Sequence, residues 1–420
     1  MAKNEKTPIF RDQFLKGSVI LDEVWSEFEK VKRVDVIIGC SIKRIAKLQE
    51  HMAKLEISKR GPSTDKYVFA KISLDQAKRI DKHNDISDPE RIVWRVWLDR
   101  DIKVYASTRI EISEKTIKVD AARRLFDKAG EDIHWAVIDT GVRITHAMVK
   151  KNCKSDYQCD YTNTVRGDEN GHGTHVAGII CSIAPKVTIH DYKVLDKDGS
   201  GKHSSIIQAM YDIRKANMEN KEAPIHGVNL SLGGATDLGY GCGASPICEE
   251  ANRLMLSGVI VCVAAGNDGF KNLLTASSTN QVEIFSSYLD LNISDPGNAQ
   301  EVITVGSVHS TKPHTHGISF FSSKGPTGDG RKKPDVVAPG ESIVSAYHKS
   351  DDSTAEMSGT SQATPHVSGA LAIFLSVKPE FKNRAKEVKQ ILMKSCIDLG
   401  RDNYFQGSGM VDILKAIQSI

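Results

Sequence analysis

Between residues 133 and 377 the chain alternates short, continuous apolar runs with longer segments of helical period, and this alternation limits the folds open to it. The runs are 133–139, 187–195, 228–232, 259–265 and 302–308; the helical segments are 171–183, 204–216, 246–256 and 361–377. A strand apolar along its whole length is buried on both faces, and strands joined through helices run parallel. The expected fold class is therefore α/β, a doubly wound, mostly parallel sheet with helices on both faces. In such sheets ligands bind beyond the carboxyl ends of the strands. Residues just past those ends are the first candidates for chemistry.

Upstream the pattern differs. Residues 34–40 and 67–72 read as strands, and 92–98 alternates Ile92, Trp94, Val96 and Leu98 with Val93, Arg95 and Trp97. Segments 42–55 and 74–83 carry a helical period. Strand, helix, strand, helix, strand makes a small α+β domain over 34–106, with nothing catalytic in it. Residues 1–33 read as a flexible leader or a small helical extension, and 107–129 as a polar, charged linker; 130–420 is the larger domain. With 420 residues the chain is long enough for both.

A formal net charge of +3 gives no basis for binding nucleic acid or an anionic membrane. No apolar run reaches the roughly 18 residues of a membrane span. The polar start Met-Ala-Lys-Asn-Glu-Lys shows no secretory signal, so a cytoplasmic protein is expected. The eight cysteines then read as reduced thiols. The spacing of six between Cys153 and Cys159, and between Cys242 and Cys248, leaves a disulfide or metal site open there.

Four positions stand out. Ser361, in Gly359-Thr360-Ser361-Gln362-Ala363-Thr364-Pro365, precedes a long apolar run, and Pro365 fits a first helical turn. Ser361 thus heads a helix, where free amides favour a developing oxyanion. A serine hydroxyl is inert without a base, an orienting carboxylate and an anion hole. Asp139 ends the run 133–139 and suits the carboxylate. His172, in Gly171-His172-Gly173-Thr174-His175, opens a helix that disfavours imidazolium, which suits a base. Asn267, after Ala264-Ala265-Gly266, ends another run, and its amide can donate to an oxyanion. Each has a bland alternative: helix cap, turn aspartate, turn asparagine. Zinc bound by His172 and His175 is disfavoured, because they lie three apart with no glutamate between them. Asp196-Lys197-Asp198-Gly199 opens like a calcium loop, but its glycine comes too early and Ile207 stands where glutamate is needed.

Together, in the order Asp139, His172, Asn267, Ser361, these motifs resemble the subtilisin-like serine proteases, the subtilases. The resemblance covers roughly 130–415. It implies a serine endopeptidase with Asp139, His172 and Ser361 as catalytic triad and Asn267 as oxyanion donor. It implies substrate contacts at Ser200 and Gly201 on an edge strand, and at Ser231, Leu232 and Gly233 opposite Ala264 and Gly266 around the primary specificity pocket. Main-chain pairing there favours broad specificity. Residues 34–106 are similar in element order to the family's propeptide. The implied partners are protein or peptide substrates and this N-terminal domain as intramolecular inhibitor, removed by self-processing. Nucleic acid and membrane are not expected, and a monomer is. The chain departs from the family at Gln362, where methionine is usual, which implies lower peroxide sensitivity. The usual calcium-binding insertion after the histidine helix is missing. No cofactor is required on this reading, and only a weak calcium site is left open. Residues 272–293 read as a surface insertion. A catalytically silent peptide-binding pseudoprotease is the alternative.

Overall fold

The computed structural model describes residues 18–41, 44–84, 91–99, 101–103, 113–162, 164–219, 224–234, 241–276 and 282–420. Two compact units divide between Arg100 and Asp101.

The first unit contains α1 (Asp22–Glu27), β1 (Arg33–Gly39), α2 (Ile45–Lys54), β2 (Tyr67–Ser73), α3 (Leu74–Lys82) and β3 (Arg95–Leu98). Its antiparallel sheet has the order β2-β1-β3. The register sets Val34, Val36 and Ile38 opposite Ile72, Ala70 and Val68. These share one face, because side chains alternate along a strand. Leu48 and Met52 of α2 and Ala77 and Ile80 of α3 belong to the same core. A reciprocal capping box between Ser73 and Gln76 starts α3. Of the two readings of 1–33, the flexible leader is corrected here, and α1 is a short helix within that stretch. Residues 1–17 lie outside the described residues, but Val19, Ile20 and Val24 are part of this core and Ile20 bridges to Val96. Interspersed charges hid these few apolar residues.

The second unit is built on seven parallel strands in the order β14-β13-β10-β9-β5-β7-β6. In chain order these are β5 (His134–Asp139), β6 (Cys153–Asp160), β7 (Thr188–Lys193), β9 (Gly227–Leu230), β10 (Ile260–Ala264), β13 (Ile303–Val308) and β14 (Val336–Pro339). The helices are α4 (Val119–Phe126), α5 (His172–Ile183), α6 (His203–Glu219), α7 (Pro246–Leu256), α8 (Pro313–His316), α9 (Thr360–Val377), α10 (Ala385–Ser395), α11 (Asn403–Gln406) and α12 (Ile413–Gln418). Strands β9, β10, β13 and β14 are buried throughout, which is why the first three read as largely apolar runs; β14 was not read from the sequence. From β5 the chain winds one way to β6 and β7, then returns past β5 to β9, β10, β13 and β14. The strand order switches at β5/β9, and in sheets of this kind ligands bind beyond the carboxyl ends at such a switch.

Helix α9 is buried from Thr360 to Ser376. A helix buried all round carries apolar and small residues on every face. The linker reading of 107–129 is corrected: 107–112 lie outside the described residues, but Ile117, Val119 and Ala122 are buried. The Ile413 N–H donates to the Ile117 carbonyl (3.1 Å), which ties this segment into the second unit. Strand β6 escapes a hydrophobic scan because it is a half-exposed edge strand. Within the insertion, β11 (Phe270–Ala276) and β12 (Val282–Tyr288) form an antiparallel hairpin. Two more short pairs join β15 (Ile343–Ala346) to β16 (Thr354–Met357), and β4 (Asp101–Lys103) to β8 (Ser200–Lys202). All eight cysteines are free thiols. Among the described residues no helix is long and apolar enough to cross a membrane.

Candidate active site

Asp139 is the last residue of β5 and is fully buried. Its Oδ1 accepts from the Thr140 N–H and from His172 Nδ1, each at 2.8 Å. His172 is the first residue of α5. Close approach of the two elements requires glycine at 173, since a Cβ there would fall 2.2 Å from the Gly141 carbonyl oxygen. With Nδ1–H donating to the carboxylate, Nε2 carries the lone pair, and it has no partner among the described residues. Burial disfavours the imidazolium, but the Asp139 charge, its hydrogen bond and the nearby Asp168 carboxylate outweigh burial and raise His172 above its ordinary value. His175, three residues on, is buried and held to about 3; its Nε2 lies 3.2 Å from the Ile343 carbonyl and 3.1 Å from that of Ala355. It is a buried, neutral histidine whose Nε2–H is shared between these two carbonyls, while its Nδ1 has no partner among the described residues.

Ser361 lies in the first turn of α9, where amides lack intrahelical acceptors. Pro365 lies inside this helix and has no N–H to return to the Ser361 carbonyl. The Ser231 hydroxyl supplies that missing donor, at 2.8 Å. In turn Ser361 Oγ donates to the Ser231 carbonyl, also at 2.8 Å. Ser231 follows β9, the neighbour of β5, so this reciprocal pair brings the hydroxyl to the carboxyl end of the sheet where Asp139 lies. Asn267 follows β10, and its Oδ1 accepts from the Thr360 N–H (2.9 Å) and hydroxyl (3.0 Å). With the carbonyl end engaged, the Nδ2 donors face the other way, beside the residue that precedes Ser361.

The expected substrate-contacting residues fall in two groups. Ser200 and Gly201 lie on β8, whose backbone pairs antiparallel with β4: Ile102 stands opposite Gly201 and Lys103 opposite Ser200. In the second group, Gly233, after Ser231 and Leu232, and Gly266, after β10 with its terminal Ala264, both approach Ser294. A Cβ at Gly233 would fall 2.9 Å from Ser294 Cβ, and one at Gly266 2.4 Å from Ser294 Oγ. Gly266 also has φ +110°, a conformation that favours glycine.

Several residues here escaped sequence reasoning. Thr360 and Ser294 carry no local signal. Asp168 could have been found, because an aspartate just before a helix start marks a cap. Met357, brought in by β16, places its sulfur 3.8 Å from the Gln362 amide nitrogen.

Comparisons with known proteins agree with this geometry. A model described as "Subtilase family" matches residues 130–410. Serine protease AprX of Bacillus subtilis (strain 168) is 30% identical over 77% of this chain and 74% of its own length. Subtilisin DY of Bacillus licheniformis is 30% identical over 69% of this chain and 92% of its own length. An extracellular serine proteinase of Thermus sp. (strain Rt41A) is 34% identical, over 64% of this chain and 56% of its own length. With the family match spanning most of the second unit, and relatives matching through it, the chain belongs to the subtilase family of serine endopeptidases.

Proposed function

We propose that Asp139, His172 and Ser361 form the catalytic triad of a broad-specificity endopeptidase that processes its own N-terminal region. The observation that carries this is the convergence, at the carboxyl ends of β5, β9 and β10, of the Asp139–His172 pair, the Ser231–Ser361 pair and Asn267 on Thr360. In the resting arrangement the Ser361 hydroxyl is held by the Ser231 carbonyl. Attack on a peptide carbonyl turns it toward His172 Nε2, which takes its proton. Asp139 fixes the tautomer and stabilises the imidazolium that forms. The Asn267 amide and the Ser361 N–H receive the oxyanion of the tetrahedral intermediate. His172 then protonates the leaving amine, the acyl-enzyme forms on Ser361 Oγ, and water activated by His172 releases it. No cofactor is required for any step, so chelation by EDTA is expected to leave kcat unchanged.

A peptide substrate lies against β8, pairing its backbone with Ser200 and Gly201, while one side chain enters the pocket between 231–233 and 264–266. Main-chain pairing is indifferent to side chains, which supports broad specificity. The chain's own Asp101–Lys103 already pairs with β8. Ser113 is buried, and its hydroxyl is hydrogen-bonded to His366 of α9. These anchors bracket the processing cut between Lys103 and Ser113. Residues 34–106 act as intramolecular inhibitor until that cut. The free thiols fit a reducing, cytoplasmic setting.

Intact masses of wild type and Ser361→Ala after expression test this. A shortened chain beginning between residues 104 and 113 is expected for wild type alone. Equal masses would sink self-processing. A wild type that cleaves no unfolded protein would favour the pseudoprotease.

A further inference from the structure

We infer that Asp168 is a positioning residue for the triad, tying the loop after Asp139 to the first turn of the helix that carries His172. The inference rests on the triad reading above. Asp168 precedes α5 and is half-buried. Its Oδ1 accepts from the Thr140 hydroxyl (3.0 Å) and from the N–H groups of Asn170 (3.0 Å) and Gly171 (2.8 Å). Its Oδ2 accepts from the Thr174 N–H (3.0 Å) and hydroxyl (2.6 Å). One carboxylate thus satisfies amides on both sides of His172. Capping alone would explain only the bonds within the 168–174 segment.

Thr140 makes the link to catalysis. Its hydroxyl donates to Asp168 and accepts from the Gly173 N–H (2.9 Å), while its own N–H donates to Asp139 Oδ1. Thr174 repeats the pattern: its hydroxyl donates to Asp168 and accepts from the Arg143 N–H (2.9 Å). Both crosslinks join the 139–143 loop to the start of α5 through Asp168. A displacement of about 1 Å between Asp139 and His172 is costly to catalysis, and this lattice of short polar bonds resists it.

The carboxylate also acts by charge. Among the described residues the other ionisable groups around this site are Asp139 from β5, Arg143 from the loop after it, Asp191 from β7, His175 on α5, His348 and Lys349 from the loop after β15, and His366 on α9. Asp191 is fully buried and lifted to about 7, first by burial and then against the Asp168 and Asp139 charges, so it carries only part of a charge at neutral pH. Burial holds His175 neutral and lowers His348 from its ordinary value. Asp139 and Asp168 are therefore the carboxylates that favour the His172 imidazolium.

The test compares wild type, Asp168→Asn, Thr140→Val and Thr140→Ser. Competent sites are counted by fluorophosphonate labelling, and kcat/KM on an unstructured peptide is followed from about pH 5 to pH 9. Asp168→Asn removes the charge but keeps the shape. It is expected to move the acid limb of the profile to lower pH and to lower kcat per labelled site about tenfold or more. Thr140→Val leaves every bond of Asp168 to α5 in place. It is expected to lower kcat per labelled site with little change in KM, and Thr140→Ser to restore it. The inference is overturned if Asp168→Asn loses only urea stability with its acid limb unmoved, or if Thr140→Val retains wild-type kcat. Should Asp168→Asn fail to fold, the Thr140 pair decides. A wild type that does not label at Ser361 would instead remove the triad reading itself.

Discussion

Replacing Ser231 with alanine probes the joint between the nucleophile helix and the sheet. The Ser231 hydroxyl donates to the Ser361 carbonyl and accepts from Asn229 Nδ2, both at 2.8 Å. Ser231, Asn229 and Ser361 are all fully buried. Alanine strands two groups at once. The Ser361 carbonyl has no second chance, because the residue four positions on is Pro365. The Asn229 amide nitrogen loses its acceptor, while its carbonyl stays bound to the Ser368 hydroxyl (2.9 Å). A buried polar group left unpaired costs about 1–3 kcal/mol. With two stranded together and some shared relaxation, a loss of about 2–4 kcal/mol is expected. The assay is urea unfolding followed by fluorescence, with Ser361→Ala as the common background. That substitution stops self-digestion and keeps the 361 carbonyl. A lower midpoint at unchanged slope reports the stability difference directly. A loss below about 0.5 kcal/mol, the scatter of an ordinary surface substitution, would refute the claim that this hydroxyl stands in for the missing proline donor.

Three further outcomes follow from the site and its surroundings. Asn267→Ala should lower kcat about 10²–10³-fold with little change in KM, a magnitude carried over from subtilisin; an unchanged kcat would remove the oxyanion assignment. His190 is pushed down to about 4, first by burial and then by His134 and His226, and His226 to about 4, first by burial and then by Lys382 and His134. Between about pH 6.5 and pH 4 the unfolded chain takes up protons that the folded chain excludes, so stability falls as pH falls, by up to about 1.4 kcal/mol per unit for each group. Asn at 190 should flatten that slope in urea midpoints, and an unchanged slope would contradict it. The absence of methionine at 362 suggests peroxide resistance, but half-buried Met357 brings its sulfur beside Gln362. Peroxide should therefore slow the enzyme as Met357 becomes sulfoxide, and Met357→Leu should protect it; equal inactivation of both would show that oxidation acts elsewhere.

The strands that carry the site were legible because burial on both faces writes itself as an unbroken apolar run, as in Val261-Cys262-Val263-Ala264. Asp139, His172, Asn267 and Ser361 were legible as residues at the ends of such elements, in motifs that resemble the family's. Two classes of residue were not legible. Strand β6 has an exposed edge, and the segment before β1 enters its core through Val19, Ile20 and Val24, with Trp25 and Phe28 packed against them, among charges; neither has a period to read. The supporting shell of the site depends on contacts between residues far apart in sequence. Thr360 and Asn267 are 93 positions apart, and Ser231 and Ser361 130. No local pattern encodes such pairs.

The most direct measurement is the reaction of the purified protein with a fluorophosphonate, followed by peptide mapping of the adduct. A phosphonyl adduct needs a base to deprotonate the hydroxyl and donors to hold the oxyanion. The expected result is a single adduct on Ser361, formed rapidly in wild type, strongly slowed in His172→Ala and slowed in Asn267→Ala. No adduct on Ser361, or one that forms as fast without the His172 imidazole, would contradict the triad.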